Sequence, residues 1–428
     1  MMNRMVFRNG CLIDPATHSE SIADLFVAEG KIVGIDEKPA DFPHAEEIDC
    51  RDCLIAPGFI DLHTAVREPG YSHKGSLYSE LSAAIKGGFT QVCVPPDSDP
   101  VLDTPSVAEW LHHQAQRLAK AQVLPIGALT QNLAGLQLSE MAALKEAGCV
   151  AVSQTYFPMA NTQLLFSALQ YAATQDLLVI HYPIDSAWQK KAYVHAGKEN
   201  LHLGLAGMPV AAEVAEIARV LALLPETGAR VHFARISSAR GVALIADAKA
   251  RGLAVSADVS IHHLFFTETL YRDFEGYLLQ PPLRSEADKD ALRQGVVNGT
   301  LDAISSAHEP QNADSLLAPL VRTPAGMSAI ELVWPLLVRL HRELNLSWCQ
   351  CLNAITQGPA RILGLNRGRL SVGQAADLTI LSPTEKWQVR SETLVSQGKN
   401  TPLLGQTVTG QVKATYVRGT KIYDGTTQ

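Results

Sequence analysis

The sequence predicts an α/β protein in which a TIM-type (β/α)8 barrel is joined to a small β-sandwich domain built from both chain ends. Three observations predict it. Short apolar runs alternate with longer amphipathic stretches through the middle of the chain, which is the pattern of βα units around a parallel sheet. Both ends show β-type alternation instead. The length of 428 residues fits one large domain with a smaller one.

The small β domain is predicted from residues 1–56 and 367–428. In the first segment, Met5–Ile13 and Asp24–Ile35 alternate between apolar and polar residues, as half-buried strands do. A second β-rich region closes the chain at Val412–Tyr423. The two ends are therefore expected to share one domain.

The barrel is predicted over residues 57–366. Its strand candidates are the short apolar runs Thr90–Val94, Gln122–Ile126, Leu177–His181, Arg230–Ala234, Ala254–Val259 and Asp302–Ser306. Amphipathic stretches such as Ser106–Lys120 and Asn161–Gln175 lie between them. Roughly eight such units close into a barrel, whose functional side chains lie at the C-terminal ends of the strands.

Composition excludes several classes of protein. The net charge of −7 argues against a nucleic-acid surface, and no Lys/Arg run suggests a membrane patch. No apolar stretch is long enough to span a bilayer, and the N-terminus lacks a signal-peptide core. The seven cysteines have no framework or zinc-knuckle spacing, so we predict reduced thiols in a cytoplasmic protein.

Motifs along nearly the whole chain resemble the dihydroorotases of the amidohydrolase superfamily. The segment from His63 to Gly70 reads HTAVREPG, where that family has His-x-His-x-x-Arg-x-Pro-Gly or a close variant. Further matching motifs are Gly87–Thr90, Pro96–Pro105, Gln280–Arg284, Gly358–Leu365, Gly368–Leu378 and Asn400–Pro402. The resemblance implies an amidohydrolase barrel with a zinc site at the strand ends.

The chain departs from the family at several metal positions. His63 and His181 match family ligands. Ala65 and Arg235 stand where the family has histidine, and Gln154 stands at the position of the bridging carboxylate. A methyl group and a guanidinium offer no lone pair, and a neutral amide is a poor bridge between two cations. We therefore predict that no metal is bound.

The general base and part of the substrate pocket also differ from the family. Ala307 stands where the family has its catalytic Asp, and Glu309 is expected in the loop after the strand, where its carboxylate does not replace the missing base. Arg67 matches the residue that grips the substrate carboxylate, whereas Asp97 replaces a substrate-binding Asn. These changes predict that the chain is not an enzyme. An anion pocket on Arg67 and Arg235 is the weaker alternative to internally paired arginines.

The other histidines are predicted not to be ligands. His232 lies three residues before Arg235, which places it on the opposite strand face. Two more, His262 and His263, are assigned to packing near the site. Three others are assigned to the surface: His112, His113 and His202.

The resemblance is nearest to the non-catalytic dihydroorotase-like chains that pair with aspartate transcarbamoylase in some bacteria, through Arg67–Lys74 and Pro95-Pro96. It implies an assembly subunit for the transcarbamoylase catalytic chain in de novo pyrimidine biosynthesis, without a cofactor and as a dimer. Glu309–Gly326 is the expected contact loop. Two alternatives remain open: an active cyclic amidohydrolase with an atypical site, and a sensor of an anionic metabolite.

Overall fold

The computed structural model describes residues 4–40, 42–189, 194–273, 277–317 and 322–425. Its larger sheet is a nearly closed parallel barrel formed by eight strands, β6 Phe59–Asp61, β7 Phe89–Val94, β8 Gln122–Ala128, β9 Ala151–Ser153, β10 Leu178–His181, β13 Val231–Phe233, β14 Val255–Ser260 and β15 Ala303–Ser305. They are hydrogen-bonded in that order around the barrel. A short pair, β11 Val194–His195 and β12 Gly207–Met208, lies outside it.

The barrel closes between its first and last strands. Thr64 forms a parallel bridge with His308, and the Ala65 N–H donates to the His308 carbonyl over 2.9 Å. The Asp61 carboxylate reinforces this seam. It accepts hydrogen bonds from the Ser306 N–H at 2.7 Å and from the Ser306 and Thr64 hydroxyls.

The helices cover the outside of the barrel. They are α1 Leu77–Lys86, α2 Pro105–Leu118, α3 Met141–Glu146, α4 Thr162–Thr174, α5 Ser186–Gln189, α6 Lys198–Leu203, α7 Val210–Thr227, α8 Ala239–Ala250, α9 Leu270–Asp273, α10 Glu286–Val297, α11 Val333–Leu344, α12 Trp348–Asn353 and α13 Gln357–Leu363. Serine residues cap the N-termini of α1, α10 and α12. Ser76, Ser285 and Ser347 each form a capping box there, which satisfies N–H groups that the first turn leaves free.

The second sheet combines both chain ends. Its strands are β1 Met5–Asp14, β2 Ser19–Ala28, β3 Lys31–Ile35, β4 Glu46–Asp49, β5 Leu54–Pro57, β16 Leu378–Gln388, β17 Thr407–Val417 and β18 Thr420–Asp424. The order is β18-β17-β16-β5-β1-β2-β3, with β4 paired to β1. The predicted architecture, a parallel barrel with a β domain from both ends, is confirmed.

Two threonines attach this sheet to the barrel. Thr379 in β16 donates to the Gly88 carbonyl and Thr415 in β17 to the Ile85 carbonyl, each over 2.8 Å. Both hydroxyls are fully buried, so the two layers share a continuous interior. Among the described helices, none has the length and apolar character needed to cross a bilayer.

The Asp61 contacts at the seam generate a prediction. Asp61→Asn replaces one acceptor oxygen with an amide that faces the Ser306 and Thr64 donors. A buried donor without an acceptor costs about 1–3 kcal/mol, so the free energy of unfolding should fall by roughly that amount in urea titrations. The matched control, Asp290→Asn at an exposed position, should change it by less than about 0.5 kcal/mol. Equal effects of the two variants would contradict the role given to Asp61.

Candidate functional site

The structure brings the predicted site positions to one end of the barrel, at or just after the C-terminal ends of its strands. They are His63 and Ala65 after β6, Gln154 after β9, His181 at the end of β10, Arg235 after β13 and Ala307 after β15. All six are buried. This is the face where (β/α)8 barrels place their functional groups.

An ion pair between Arg235 and Glu309 lies at the centre of the site. Arg235 is 1% exposed and Glu309 6%, and 2.8 Å separates Nη1 from Oε1. The Tyr156 hydroxyl donates to the same carboxylate oxygen at 3.1 Å and also accepts a hydrogen bond from Arg235 Nη1. Nη1 lies 3.3 Å from the Gln280 carbonyl as well. The guanidinium therefore connects the ends of β9 and β15 with the Gln280 carbonyl, which lies in the long segment after β14.

Aromatic rings enclose the Arg235 guanidinium. Its central carbon lies 5.4 Å from the ring centre of Tyr156 and 5.8 Å from that of Tyr182, distances at which a cation is attracted to an aromatic face. The Arg235 backbone has φ 56° and its N–H donates to Asp258 Oδ1 over 3.1 Å. These contacts hold a non-glycine residue in the left-handed region.

The position of Glu309 corrects the sequence-based prediction. We expected this residue only in the loop after the strand, but its carboxylate is buried in the site against His63 and Arg235. Burial raises the pKa of its carboxyl, but Arg235, His63 and Arg67 outweigh that effect and hold the pKa at about 2. The chain turns inward after Ala307, which has φ 50°, and this turn directs Glu309 into the barrel.

His63 is held on both ring nitrogens. Nδ1 lies 2.6 Å from the Tyr182 hydroxyl and Nε2 lies 3.2 Å from Glu309 Oε1. Burial, followed by the charge of Arg235, lowers the pKa of the imidazole, so the ring is neutral near pH 7. A neutral ring that accepts from Tyr182 and faces a carboxylate with its N–H has no free lone pair for a metal.

His181 contacts a different set of residues. Its Nε2 lies 3.1 Å from Glu216 Oε1 of α7, although the angle does not meet hydrogen-bond geometry. The ring also packs edge-on against Phe233, with 6.0 Å between the centres. Glu216 is paired with Arg219 at 2.6 Å. His181 is thus engaged on the α7 side of the barrel.

Gln154, Ala65 and Ala307 fill the remaining positions without offering a ligand. The Gln154 amide oxygen accepts from the Thr130 hydroxyl at 2.9 Å, and its nitrogen donates to the Leu133 carbonyl at 2.8 Å. Ala65 and Ala307 are buried methyl groups. The Gln154 amide is therefore fixed to the loop after β8.

Arg67 and Asp97 line a small crevice beside Ala65. Arg67 Nε donates to the Pro310 carbonyl over 3.0 Å, while its buried Nη2 makes no hydrogen bond in the described part of the chain. Arg67 lies close enough to lower the pKa of Glu309. Arg235 is thus paired internally with Glu309, and the charge of Arg67 acts on the same carboxylate from farther away.

The other histidines lie outside the Arg235–Glu309 contacts. His232 is bound to Asp258 at 2.8 Å and to Ser256 at 2.9 Å. His262 and His263 are buried, and burial lowers their pKa values to about 3 and about 4. Those predicted to lie at the surface are exposed or half-buried on the outer helices: His112, His113 and His202.

Sequence reasoning missed three residues of the site. Tyr156 and Tyr182 surround Arg235, and His308 pairs with Glu80 over 2.7 Å beneath the barrel seam. The available signal was position, because each follows a predicted strand end closely. The sequence did not show that a buried arginine at the site requires both a carboxylate partner and aromatic rings around it.

Comparisons with known proteins agree with this architecture. The family model described as Dihydro-orotase-like matches residues 52–240. A "Dihydroorotase-like protein" of Pseudomonas aeruginosa is 42% identical over 98% of this chain and 99% of that protein. A "Dihydroorotase" of Solibacter usitatus is 34% identical over 97% of each chain. The chain belongs to the dihydroorotase-like amidohydrolase family.

Solved structures confirm the fold of this dihydroorotase-like chain. L-Hydantoinase (Dihydropyrimidinase) from Arthrobacter aurescens matches with a TM-score of 0.87, at 23% identity over 99% of this chain and 96% of that one. The relatives named Dihydroorotase and the structural neighbours named hydantoinases are enzymes. These names contradict the prediction that the chain is not an enzyme, which rested only on replaced residues.

The donor set of this chain does not fit the zinc site that the family resemblance implies. A zinc ion needs deprotonated or neutral donors with free lone pairs, whereas the central position holds a guanidinium that repels cations. Glu309 is neutralised by that guanidinium and His63 is occupied on both nitrogens. Among the described residues, no group of three or more His, Cys, Asp or Glu is arranged to hold a metal.

The first prediction from the site concerns the ion pair. Arg235→Met leaves the Glu309 carboxylate buried without its cation, and breaking a buried pair costs about 3–5 kcal/mol. Urea unfolding should show a loss of that size. Adding Glu309→Gln should recover part of it, because the double variant no longer buries a lone charge. Arg251→Met, at an exposed pair with Asp247, is the control and should cost less than about 0.5 kcal/mol.

The second prediction concerns pH. The pKa of Glu309 is about 2 in the folded chain, below its ordinary value of 4.5. Its contribution to stability is therefore present above pH 4.5 and lost as pH falls towards 2. Relative to Glu309→Gln, the wild type should lose up to about 1.4 kcal/mol of unfolding free energy for each pH unit below about 4.5. Parallel pH profiles would contradict the low pKa.

Proposed function

We propose that this dihydroorotase-like chain acts in pyrimidine biosynthesis as an assembly subunit for the catalytic chain of aspartate transcarbamoylase. The observation that carries the proposal is the Arg235–Glu309 pair. It connects strand ends where the family resemblance places metal ligands. A barrel face cross-linked by its own side chains gives a partner a preformed surface, and preorganisation lowers the entropic cost of binding.

The proposal includes a metal-free site. Its support is the chemistry of the donors: one guanidinium, two methyl groups and an amide already bound to Thr130 and Leu133. The cation that balances the Glu309 carboxylate belongs to the chain itself. Folding of such a site does not depend on a metal, in contrast to sites where metal binding supplies the folding energy.

The predicted contact loop, Glu309–Gly326, divides into anchored and exposed parts. Glu309 is buried in the site, so it is not a contact residue. At the other end, the Gly326 N–H donates to the Leu278 carbonyl over 2.8 Å. Between them Leu317 is 85% exposed, while residues 318–321 lie outside the described part of the chain. Leu317 is the described residue best placed to meet a partner.

Co-expression with the transcarbamoylase chain of the same organism tests assembly. We expect a complex that survives size-exclusion chromatography at micromolar concentration, and a transcarbamoylase activity that falls when this chain is omitted. Alone, this chain should elute as a dimer. Separate elution of the two proteins, together with unchanged transcarbamoylase activity, would contradict the proposal.

A point substitution localises the contact. Leu317→Glu places a charge where an apolar side chain would enter the interface, and truncating or charging an interface anchor costs on the order of 2 kcal/mol. The affinity for the transcarbamoylase chain should therefore drop by about thirtyfold. Val372→Glu, at another exposed apolar position (63%) in the β domain, is the control and should leave affinity unchanged.

Metal removal tests the metal-free site. We expect substoichiometric zinc by elemental analysis and the same melting temperature with and without EDTA, because no binding energy is lost when a metal is absent. About one zinc per chain, with a lower melting temperature in EDTA, would contradict this part of the proposal.

A second candidate function is hydrolysis of a cyclic amide such as dihydroorotate at an atypical metal site. The relatives named Dihydroorotase favour it. If it holds, purified protein supplied with zinc will hydrolyse dihydroorotate, and His181→Ala will abolish turnover while leaving the transcarbamoylase complex intact. No turnover above that of the His181→Ala control, with and without added zinc, would contradict this candidate.

A further inference from the structure

A groove lies between the barrel and the β domain, beside the N-terminal ends of the barrel strands and away from the site. The end of α2, the start of β8 and the β17–β18 hairpin form its walls, and its volume is 580 Å³. Small-molecule sites occupy about 300–1,000 Å³. The groove has the size of such a site.

The floor of the groove is apolar. It is formed by Ala115, Ala121, Val123, Val417 and Ile422. Ala115, Ala121 and Val123 are buried while the other two are half-buried. A flat ring or short chain would cover it and remove that apolar area from water.

Positive charges flank this floor without a balancing carboxylate. Lys120 and Arg418 line the groove together with His112, and no Asp or Glu is among its described lining residues. The Lys120 ammonium lies 5.9 Å from the ring centre of Tyr78. The exposed Arg418 side chain forms no ion pair within the described chain, while its backbone N–H is fixed by Asp377 Oδ1 at 2.8 Å. Arg418 thus has a fixed backbone and a charge that no described carboxylate balances.

We propose that this groove binds a small organic anion with an apolar body. The apolar floor takes the body, and Lys120 and Arg418 take a carboxylate, sulfonate or phosphate head. Charge on the rim sets orientation, whereas the floor supplies most of the affinity. This site is separate from the barrel face and does not depend on the proposed assembly function.

Binding here has a structural consequence. The ligand contacts β8 of the barrel and β17–β18 of the β domain at once. A ligand that binds only the native arrangement stabilises it by mass action. The melting temperature should therefore rise with ligand concentration, and this readout needs no enzymatic activity.

Fluorescence titration with 1-anilinonaphthalene-8-sulfonate, an aromatic ring system with an anionic head, tests the proposal on the full chain. We expect saturable one-site binding and a higher melting temperature. The double variant Lys120→Glu/Arg418→Glu turns two attractions into repulsions and should weaken binding by about tenfold. Lys38→Glu/Arg251→Glu reverses two exposed charges elsewhere and should leave affinity unchanged.

A second variant distinguishes binding in the groove from the effects of misfolding and from binding elsewhere on the protein. Thr420→Trp fills the groove from an exposed strand position that accepts aromatic residues, and it should abolish saturable binding with an unchanged far-ultraviolet circular dichroism spectrum. Binding unaffected by Thr420→Trp, or weakened equally by both charge-reversal pairs, would overturn the proposal. Equal affinity for uncharged 2-naphthol and naphthalene-2-sulfonate would overturn the role of the cations.

Discussion

The buried ion pair between Arg235 and Glu309 is the interaction on which the C-terminal face of the barrel depends. Each charge is almost fully removed from water, and burying either one without the other would cost several kcal/mol of desolvation. The aromatic rings of Tyr156 and Tyr182 and the imidazole of His63 are arranged around this pair. The positions of these three side chains follow from the need of the buried ion pair for partners.

The ion pair also explains why the neighbouring polar groups are neutral or locked. A fixed cation in the middle of the site lowers the pKa of His63 in addition to the effect of burial, and it keeps Glu309 ionised. Because Glu309 is paired with Arg235, its pKa is about 2. A carboxylate with so low a pKa is a weak base and a poor proton acceptor at neutral pH. The family frame is kept, whereas the electrostatics of its centre are different.

The groove and the barrel face lie at opposite ends of the strands and follow opposite electrostatic rules. At the face, charges are buried and paired, so solvent and salt have little access to them. In the groove, Lys120 is half-buried and Arg418 exposed, and neither forms an ion pair with a described residue, so both charges are available to a ligand. The barrel face and the groove therefore differ in whether their charged side chains can contact a ligand, and not in how many charges they contain.

The sequence by itself determined the architecture and the identity of the site positions. Apolar periodicity located six of the eight barrel strands, from Thr90–Val94 to Asp302–Ser306, and motif spacing placed Ala65, Arg235 and Ala307 at strand ends. Only the tertiary structure decided what those residues do. The inward turn at Ala307 carries Glu309 to Arg235 across the barrel, a contact that depends on non-local backbone geometry and on a shared desolvation cost that no local pattern encodes.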